Sequence, residues 1–402
     1  MKNMSFVHID LAEIAFKLGP VMKNNRISHW SSDGCFLGVT ETNFLFSIFR
    51  DMKSLQVLSI SYDDIEDDDH PIQQHDLNDD VMAECIPSLA VCTGMHDLIL
   101  QGLKMRTKSC AVLRDIVPRM AALLTLGLGE NLIDDNCVEV LIRGLAECKH
   151  LHSLRLGRNR IGDNGLELLT QGLPASVDTL DLDDNEVALA QQLPLLRFKE
   201  LYLLGNSFSP GGPGVIAASL ANPECRLQVL HLYNTGIGDE VMAVLAESLG
   251  NNDRLIRMAL GEDNYITQTG WNALLNALCD TATINATHGS NHTLQFLENY
   301  GCDYFNVPQD VKMILQLNWC QDKSRVAAAK ILQAHRHLDL KPLFDRKLDL
   351  LPHVVAWLER FADTRLDLKL MSIFDFVRAM PMEVVIGVAN KKKGKKRSHN
   401  SL

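Results

Sequence analysis

"LHSLRLGRNRIGDNGLELLTQGL" (Leu151–Leu173) carries leucine at 151, 154 and 156, asparagine at 159 and isoleucine at 161. Written as L-x-x-L-x-L-x-x-N-x-I, the pattern recurs along the chain. It appears as "LLTLGLGENLI" from Leu123, "VDTLDLDDNEV" from Val177 and "FKELYLLGNSF" from Phe198. "LQVLHLYNTGI" from Leu227 has Thr235 in the Asn slot, and "LIRMALGEDNYI" from Leu255 fits after one inserted residue. Upstream lie "LQVLSISYDDI" from Leu55, "MHDLILQGLKM" from Met95 and a faint "ISHWSSDGCFL" from Ile27. A decayed "INATHGSNHTL" from Ile284 completes ten copies, and several neighbours are 28 residues apart.

The spacing serves burial. The leucines alternate on a short strand and point inward. One such strand cannot bury its apolar side alone, so copies must stack as a parallel sheet. The Asn side chain both donates and accepts, and so satisfies backbone groups of its own turn and the adjacent one. Between copies run helix-period segments such as "GDNGLELLTQGL" and "GDEVMAVLAESLG", with Asp163 and Asp239 where an N-cap belongs. Each unit reads as strand, turn, helix and return.

These residues resemble the ribonuclease-inhibitor type of leucine-rich repeat, over residues 10–295, with "LRLGRNRIGDNGLELL" the most specific stretch. The resemblance implies an α/β horseshoe solenoid, with parallel strands on the concave side and helices on the convex side. It also implies that the usual work is binding other proteins. Ran GTPase-activating proteins, ribonuclease inhibitors and the ligand-sensing domains of immune receptors share that fold.

Three irregularities interrupt the register. The step from 55 to 95 is 40 residues, and its excess, Tyr62–Asp80, holds nine acids without a base. The order of a calcium loop is absent from it. A solvated acidic loop is the simple reading, and a docking site for a basic partner the alternative. The step from 177 to 198 is 21 residues. Ala188–Arg197, broken by Pro194, leaves room for a turn rather than a helix, and "NSFSPGGPG" (Asn206–Gly214) reads as a rigid helix-free loop. Past Leu294 the repeat stops, and amphipathic segments follow near 308–318, 322–336, 352–362 and 366–380. The expected organisation is a solenoid over 1–295, an all-α cap over 296–385 that covers its apolar end, and a basic disordered tail over 386–402.

Composition narrows the function. The chain has 402 residues, of which 22% are charged, and a formal net charge of −11. Lys391–Arg397 ("KKKGKKR") holds six positive residues, so the remainder carries −17. A body that acidic repels phosphate backbones, which argues against nucleic acid as a partner. The ten cysteines contain no C-x-x-C, the N-terminus lacks the unbroken apolar core of a secretion signal, and no 18-residue apolar run occurs. A cytoplasmic protein with reduced thiols and no membrane contact is expected. The tail reads either as a nuclear import signal or as a polyanion-attracted solubilising segment. A monomer without cofactor or small-molecule substrate is the simplest expectation.

Catalytic motifs are missing. H-E-x-x-H and G-x-S-x-G do not occur, and "GVANKKKGKK" fails the phosphate-loop pattern in spacing and in its last residue. His288 and His292, between Cys279 and Cys302, match no zinc module and read as a polar capping turn. His335 and His337 diverge on a helix.

The side chains that alternate with the leucines face the concave surface or its rim. Early units offer small residues such as Thr125, Gly127 and Gly129. The unit from Leu151 presents Ser153, Arg155 and Arg158, and that from Val177 presents Thr179, Asp181, Asp183 and Asp184. Glu200, Tyr202 and Leu204 follow, then Val229, His231 and Tyr233, then Arg257 and Glu262. Arg155, Arg158, Asp181, Asp183, Glu200, Tyr202, His231, Tyr233 and Arg257 form the candidate partner-binding strip, since Tyr and Arg concentrate at protein interfaces. The expected function is a non-enzymatic interaction scaffold. Two alternatives stand beside it: a GTPase-activating protein resembling the Ran-directed kind, for which Arg158 and Arg160, flanking Asn159, are the only suggestive pair and no catalytic residue is assigned, and an acidic-surface inhibitor of a basic enzyme.

Overall fold

The computed structural model describes residues 3–8, 11, 17, 27–35, 38–62, 76–191, 195–261, 264–298 and 307–335. Eleven strands form one sheet in strict chain order, every neighbouring pair parallel. They are β1 (Asn3–Val7), β2 (His29–Asp33), β3 (Val57–Ser61), β4 (Asp97–Gln101), β5 (Thr125–Gly127) and β6 (Ser153–Arg155). Then come β7 (Thr179–Asp181), β8 (Glu200–Tyr202), β9 (Val229–His231), β10 (Arg257–Ala259) and β11 (Phe296–Glu298). With a helical element in most returns, the chain is a leucine-rich-repeat solenoid.

Register explains the leucines. Leu98, Leu126, Leu154, Leu180, Leu201 and Leu230 are direct partners across successive strands, and all are fully buried. Leu128, Leu156, Leu182, Leu203, Leu232 and Leu260 form a second buried file. Each such side chain contributes about 1.5–3 kcal/mol by leaving water, a gain that exists only once neighbours are stacked.

The asparagines make a parallel polar file. Asn159 Nδ2 donates to Leu128 O (3.0 Å) and Leu156 O (2.9 Å), while its Oδ1 accepts from Ile133 N (3.0 Å). Asn131, Asn185, Asn206 and Asn264 repeat the arrangement, each joining its own turn to the one before. Thr235, in the same slot, manages only Oγ1 to Leu232 O (2.8 Å) and leaves the cross-turn bond unmade.

The helices α1 (Val39–Phe49), α2 (Asp79–Cys85), α3 (Thr107–Ile116), α4 (Asp135–Leu145), α5 (Asp163–Gly172), α6 (Gly212–Ala221), α7 (Asp239–Leu249) and α8 (Gln268–Leu278) lie on the convex side. Asp163 and Asp239 are the first helical residues rather than N-caps, which are Gly162 and Gly238. Their carboxylates reach forward to the next unit. Asp163 accepts from Ala188 N (2.9 Å), Leu189 N (2.8 Å) and Ala190 N (2.7 Å), and Asp239 from Thr267 N (2.7 Å) and Gly270 N (3.0 Å). Asp79 does the same for Arg106, Lys108 and Ser109. The acid therefore satisfies donors of the following turn or helix start, a group its own helix could not reach.

Other expectations need correction. The copy at Ile284 is a helix, α9 (Ile284–Gly289), and the eleventh strand comes ten residues later, led by buried Leu294. Thr287 and Gly289 stand in two of the three inward leucine slots and cannot continue that file. The sheet thus passes the expected boundary at 295, and β1 adds a strand ahead of the first recognised copy. Among its described residues the short 177–198 step holds a single helical turn, a 3₁₀ segment at Leu195–Arg197. The 206–214 loop is helix-free only to Gly211, because Pro213 takes a first-turn position of α6, where it has no amide to lose.

Beyond β11, α10 (Gln309–Leu317) and α11 (Lys323–Ala334) occupy the first two amphipathic segments. Asn318 Nδ2 donates to Leu294 O (2.6 Å), which ties them to the last unit. The segments at 352–362 and 366–380, the basic tail and most of the acidic stretch (63–75) lie outside the described residues. No helix among those described is long and apolar enough to cross a membrane. The nine described cysteines are free thiols, and all but Cys320 are buried.

Candidate functional site

The sheet's outward side chains fall into two adjacent rows. One runs Ser153, Thr179, Glu200, Val229, Arg257 and Phe296, the other Arg155, Asp181, Tyr202, His231 and Ala259. With strands about 4.8 Å apart, six of the nine candidate residues occupy a continuous strip. Arg158, Asp183 and Tyr233 sit at its rim, on the turns that leave β6, β7 and β9.

That rim has a conserved backbone geometry along the chain. The eighth residue of six consecutive units has φ in the left-handed region: Gly102 (72°), Glu130 (54°), Arg158 (55°), Asp184 (50°), Gly205 (71°) and Asn234 (48°). Glycine accepts this conformation freely, and other residues at a cost of about 1 kcal/mol or more. Glu130, Arg158 and Asp184 are nevertheless neighbours there. The Arg158 guanidinium bridges them, at 2.9 Å from Glu130 Oε1 and 3.4 Å from Asp184 Oδ2. Both bonds hold Arg158 on the rim.

Beside this triad lies a cleft of about 350 Å³. Its floor is Gly127, Gly129 and Gly157, where a β-carbon would come within 3.2 Å of Ile99 Cγ1, 3.2 Å of Gly157 O and 3.1 Å of Asp181 Oδ1, respectively. Its walls include Arg155, Asp181, Asp183 and Leu204. Asp181 Oδ1 accepts from Asp183 N (3.0 Å) and Asp183 Oδ1 from Leu204 N (2.7 Å). Among the described residues neither carboxylate forms an ion pair, although the Arg155 charge acts on Asp181 and that of Arg158 on Asp183. Burial pushes the Asp181 carboxyl up, and burial together with the Asp181 charge pushes Asp183 up to about 7. Arg155 is the register partner of Asp181, yet its exposed guanidinium makes no ion pair with it.

At the other end of the strip the chemistry is aromatic. Glu200 Oε2 accepts from Thr179 Oγ1 (3.2 Å) and Tyr202 Oη (3.3 Å). The Tyr202 ring stands edge-on to His231, with centroids 4.3 Å apart. His231 is a correction to the strip: it is 3% exposed and supports Tyr202 instead of meeting a partner. Burial lowers its pKa to about 4, so it is neutral at ordinary pH. Tyr233 is half-buried, its ring lying where a side chain at Gly261 would have to go. Arg257 lies 5.1 Å above the Phe296 ring, and Phe296 stacks at 5.6 Å on Trp319, whose indole is 55% exposed. Glu262 lies outside the described residues.

Sequence reasoning missed Glu130, Phe296 and Trp319. Glu130 holds the same unit position as Arg158 and Asp184, a signal available from alignment of the units. Phe296 holds the position of Arg257 once Leu294 is taken as the unit's leading residue. Trp319 follows α10, outside any repeat, and no pattern pointed to it.

Among the described residues, no group of three or more His, Cys, Asp or Glu is placed to hold a metal ion. His292 Nε2 donates to His288 O (3.0 Å), a turn-closing bond.

No family model matches the sequence, and no curated protein matches it. Among solved structures the chain is similar to an internalin of Listeria monocytogenes, at 18% identity over 62% of this chain and 78% of that one, with a TM-score of 0.33. Internalin C2 of the same species gives 15% identity over 60% and 74%, with a TM-score of 0.32. The fold assignment rests on the strand order and register above.

Proposed function

We propose that this chain is a non-enzymatic interaction module of the ribonuclease-inhibitor type, which captures a protein partner on the concave face of its sheet. The observation that carries this reading is the two-row register. It brings arginines, carboxylates and tyrosines from five different units onto one rigid surface. A sheet whose side chains are fixed by neighbouring strands loses little conformational entropy on binding, and that preorganisation favours recognition. Tyr202, Tyr233, Arg257 and Trp319 supply the amphipathic area typical of contact centres, with Arg155 and the Glu130–Arg158–Asp184 triad at the other end. Arg158 is engaged by two acids, an arrangement that suits a fixed contact residue better than a catalytic arginine free to swing onto a nucleotide.

A photo-crosslinking residue tests the assignment. Placed at Tyr202 it should trap a partner in extracts of the native cell. Placed at Val244, exposed on the convex helix α7, it should trap none. Equal yields from both positions would refute the concave assignment.

A further inference from the structure

The glycine-floored cleft holds an imbalance of charge that the rest of the strip does not explain. Four acids line it, Glu130, Asp181, Asp183 and Asp184, against two arginines. Arg158 is consumed by Glu130 and Asp184. Asp181 and Asp183 line the same space with amide donors, Asp183 N and Leu204 N, as hydrogen-bond partners, while Arg155 and Arg158 act on them through charge without forming an ion pair with them. Two carboxylates drawn together in a concavity repel each other unless one is protonated or a cation lies between them.

We propose that this cleft receives one arginine side chain of the protein partner, its guanidinium spanning the Asp181 and Asp183 carboxylates. Here the proposal rests on the concave face being the capture surface and names what that surface takes. The volume, about 350 Å³, lies at the small end of ligand sites and suits one long side chain. Half-buried Ile99 and Leu204 line it and offer apolar surface to the methylene stem. The three glycines keep the floor open, and a β-carbon at Gly157 would crowd the Asp181 carboxylate itself. A planar five-donor fork can bond two separate carboxylates at once, which an ammonium point charge does less well.

Burial and mutual repulsion hold Asp183 partly protonated near neutrality, with a pKa of about 7. Arginine binding must then expel that proton, so affinity should rise as the pH passes through 7.

The test uses the full-length protein with ¹⁵N-labelled glycine and the probe acetyl-Gly-Arg-Gly-amide, with the citrulline tripeptide as neutral isostere. Binding should shift the amide signals of Gly127, Gly129 and Gly157, and citrulline should not. The apparent affinity should rise about five- to tenfold between pH 6 and pH 8, as a carboxyl of pKa near 7 ionises. Asp183→Asn keeps an oxygen for Leu204 N, so it should preserve the fold, weaken binding and abolish the pH dependence. Asp181→Asn should likewise weaken binding without unfolding. Equal shifts from citrulline, no shift at the three glycines, or unchanged binding in both variants would overturn the proposal. The tripeptide is read without a partner. Cleft binding that persists while partner capture fails would therefore sink only the scaffold reading, and the converse result only the cleft.

Discussion

Lys330 Nζ donates to His292 Nδ1 at 3.2 Å, the third of three acceptors around a lysine with no exposed surface. The other two are Leu278 O (2.6 Å) and Asn291 O (2.7 Å), so α11 plugs its ammonium into the carbonyl ends of the last unit. Burial lowers the Lys330 pKa to about 7 and, with the Lys330 charge second, that of His292 to about 4. His288, Lys323 and Cys279 are the other titratable groups facing this pair, and Asp280 acts on Cys279.

Unfolded His292 takes a proton near pH 6.5, whereas the folded one resists until about 4. Stability from this contact is therefore complete above pH 6.5 and lost as the pH falls toward 4. His231 has a similarly lowered pKa and adds to the same slope. Melting curves across that window should fall more gently for His292→Gln than for the natural protein. Because folding lowers the Lys330 pKa from 10.5 to about 7, stability from this group is complete above pH 10.5 and lost as the pH falls toward 7, so Lys330→Met should flatten the urea midpoint's pH profile over that window. An unchanged urea midpoint would show that the plug does not hold α11 down.

The asparagine file predicts an asymmetric pair of effects. Asn159→Ala strands Ile133 N in the core and should destabilise by about 2–3 kcal/mol. Thr235→Asn should instead stabilise by about 1 kcal/mol, because an amide there can reach back to the Leu203 turn that the hydroxyl does not. Urea denaturation of the two variants reads both signs.

Asp163 stands or falls by its neighbour's backbone. Asp163→Ala removes the acceptor for three amides at 188–190 and should cost about 2 kcal/mol. Hydrogen exchange should accelerate at those three amides more than within α5 itself. Faster exchange confined to α5 would mean that the acid serves its own helix after all.

Arg158→Gly separates stability from recognition. Relief of the left-handed strain and the greater freedom of unfolded glycine are each about 1 kcal/mol and opposite in sign. The exposed ion pairs add about 1 kcal/mol or less. The melting temperature should barely move while capture of the partner weakens. A large drop in melting temperature would make the triad a structural clamp.

Much of this architecture was legible in the amino-acid sequence, because burial imposes period and register on leucine and asparagine. The strands led by Leu123, Leu151 and Leu227 fall where their motifs put them. The sequence misled where two patterns overlap: "INATHGSNHTL" mimics a unit, but its polar residues suit a helix start, and Leu294 leads the true strand. Site residues were legible as a row but not as an environment. Position alone could not tell that Tyr202 covers His231, since both occupy outward slots on neighbouring strands. Nor could it show that Arg158 pairs directly with Asp184 and not with Asp183, because side-chain reach across turns decides that. The forward reach of Asp163 and Asp239 was hidden for the same reason. An acid at a helix start looks the same whether it caps its own helix or the next turn.

Capture on the concave face can be read by comparing two variants with the natural chain. The Tyr202→Ala/Tyr233→Ala double variant and a Val244→Ser convex control would be used as baits in the native cell extract, with melting temperatures measured for both. The tyrosine variant should lose partner proteins retained by the natural chain and by the control, at little change in melting temperature. Identical sets of captured proteins from all three baits would contradict it.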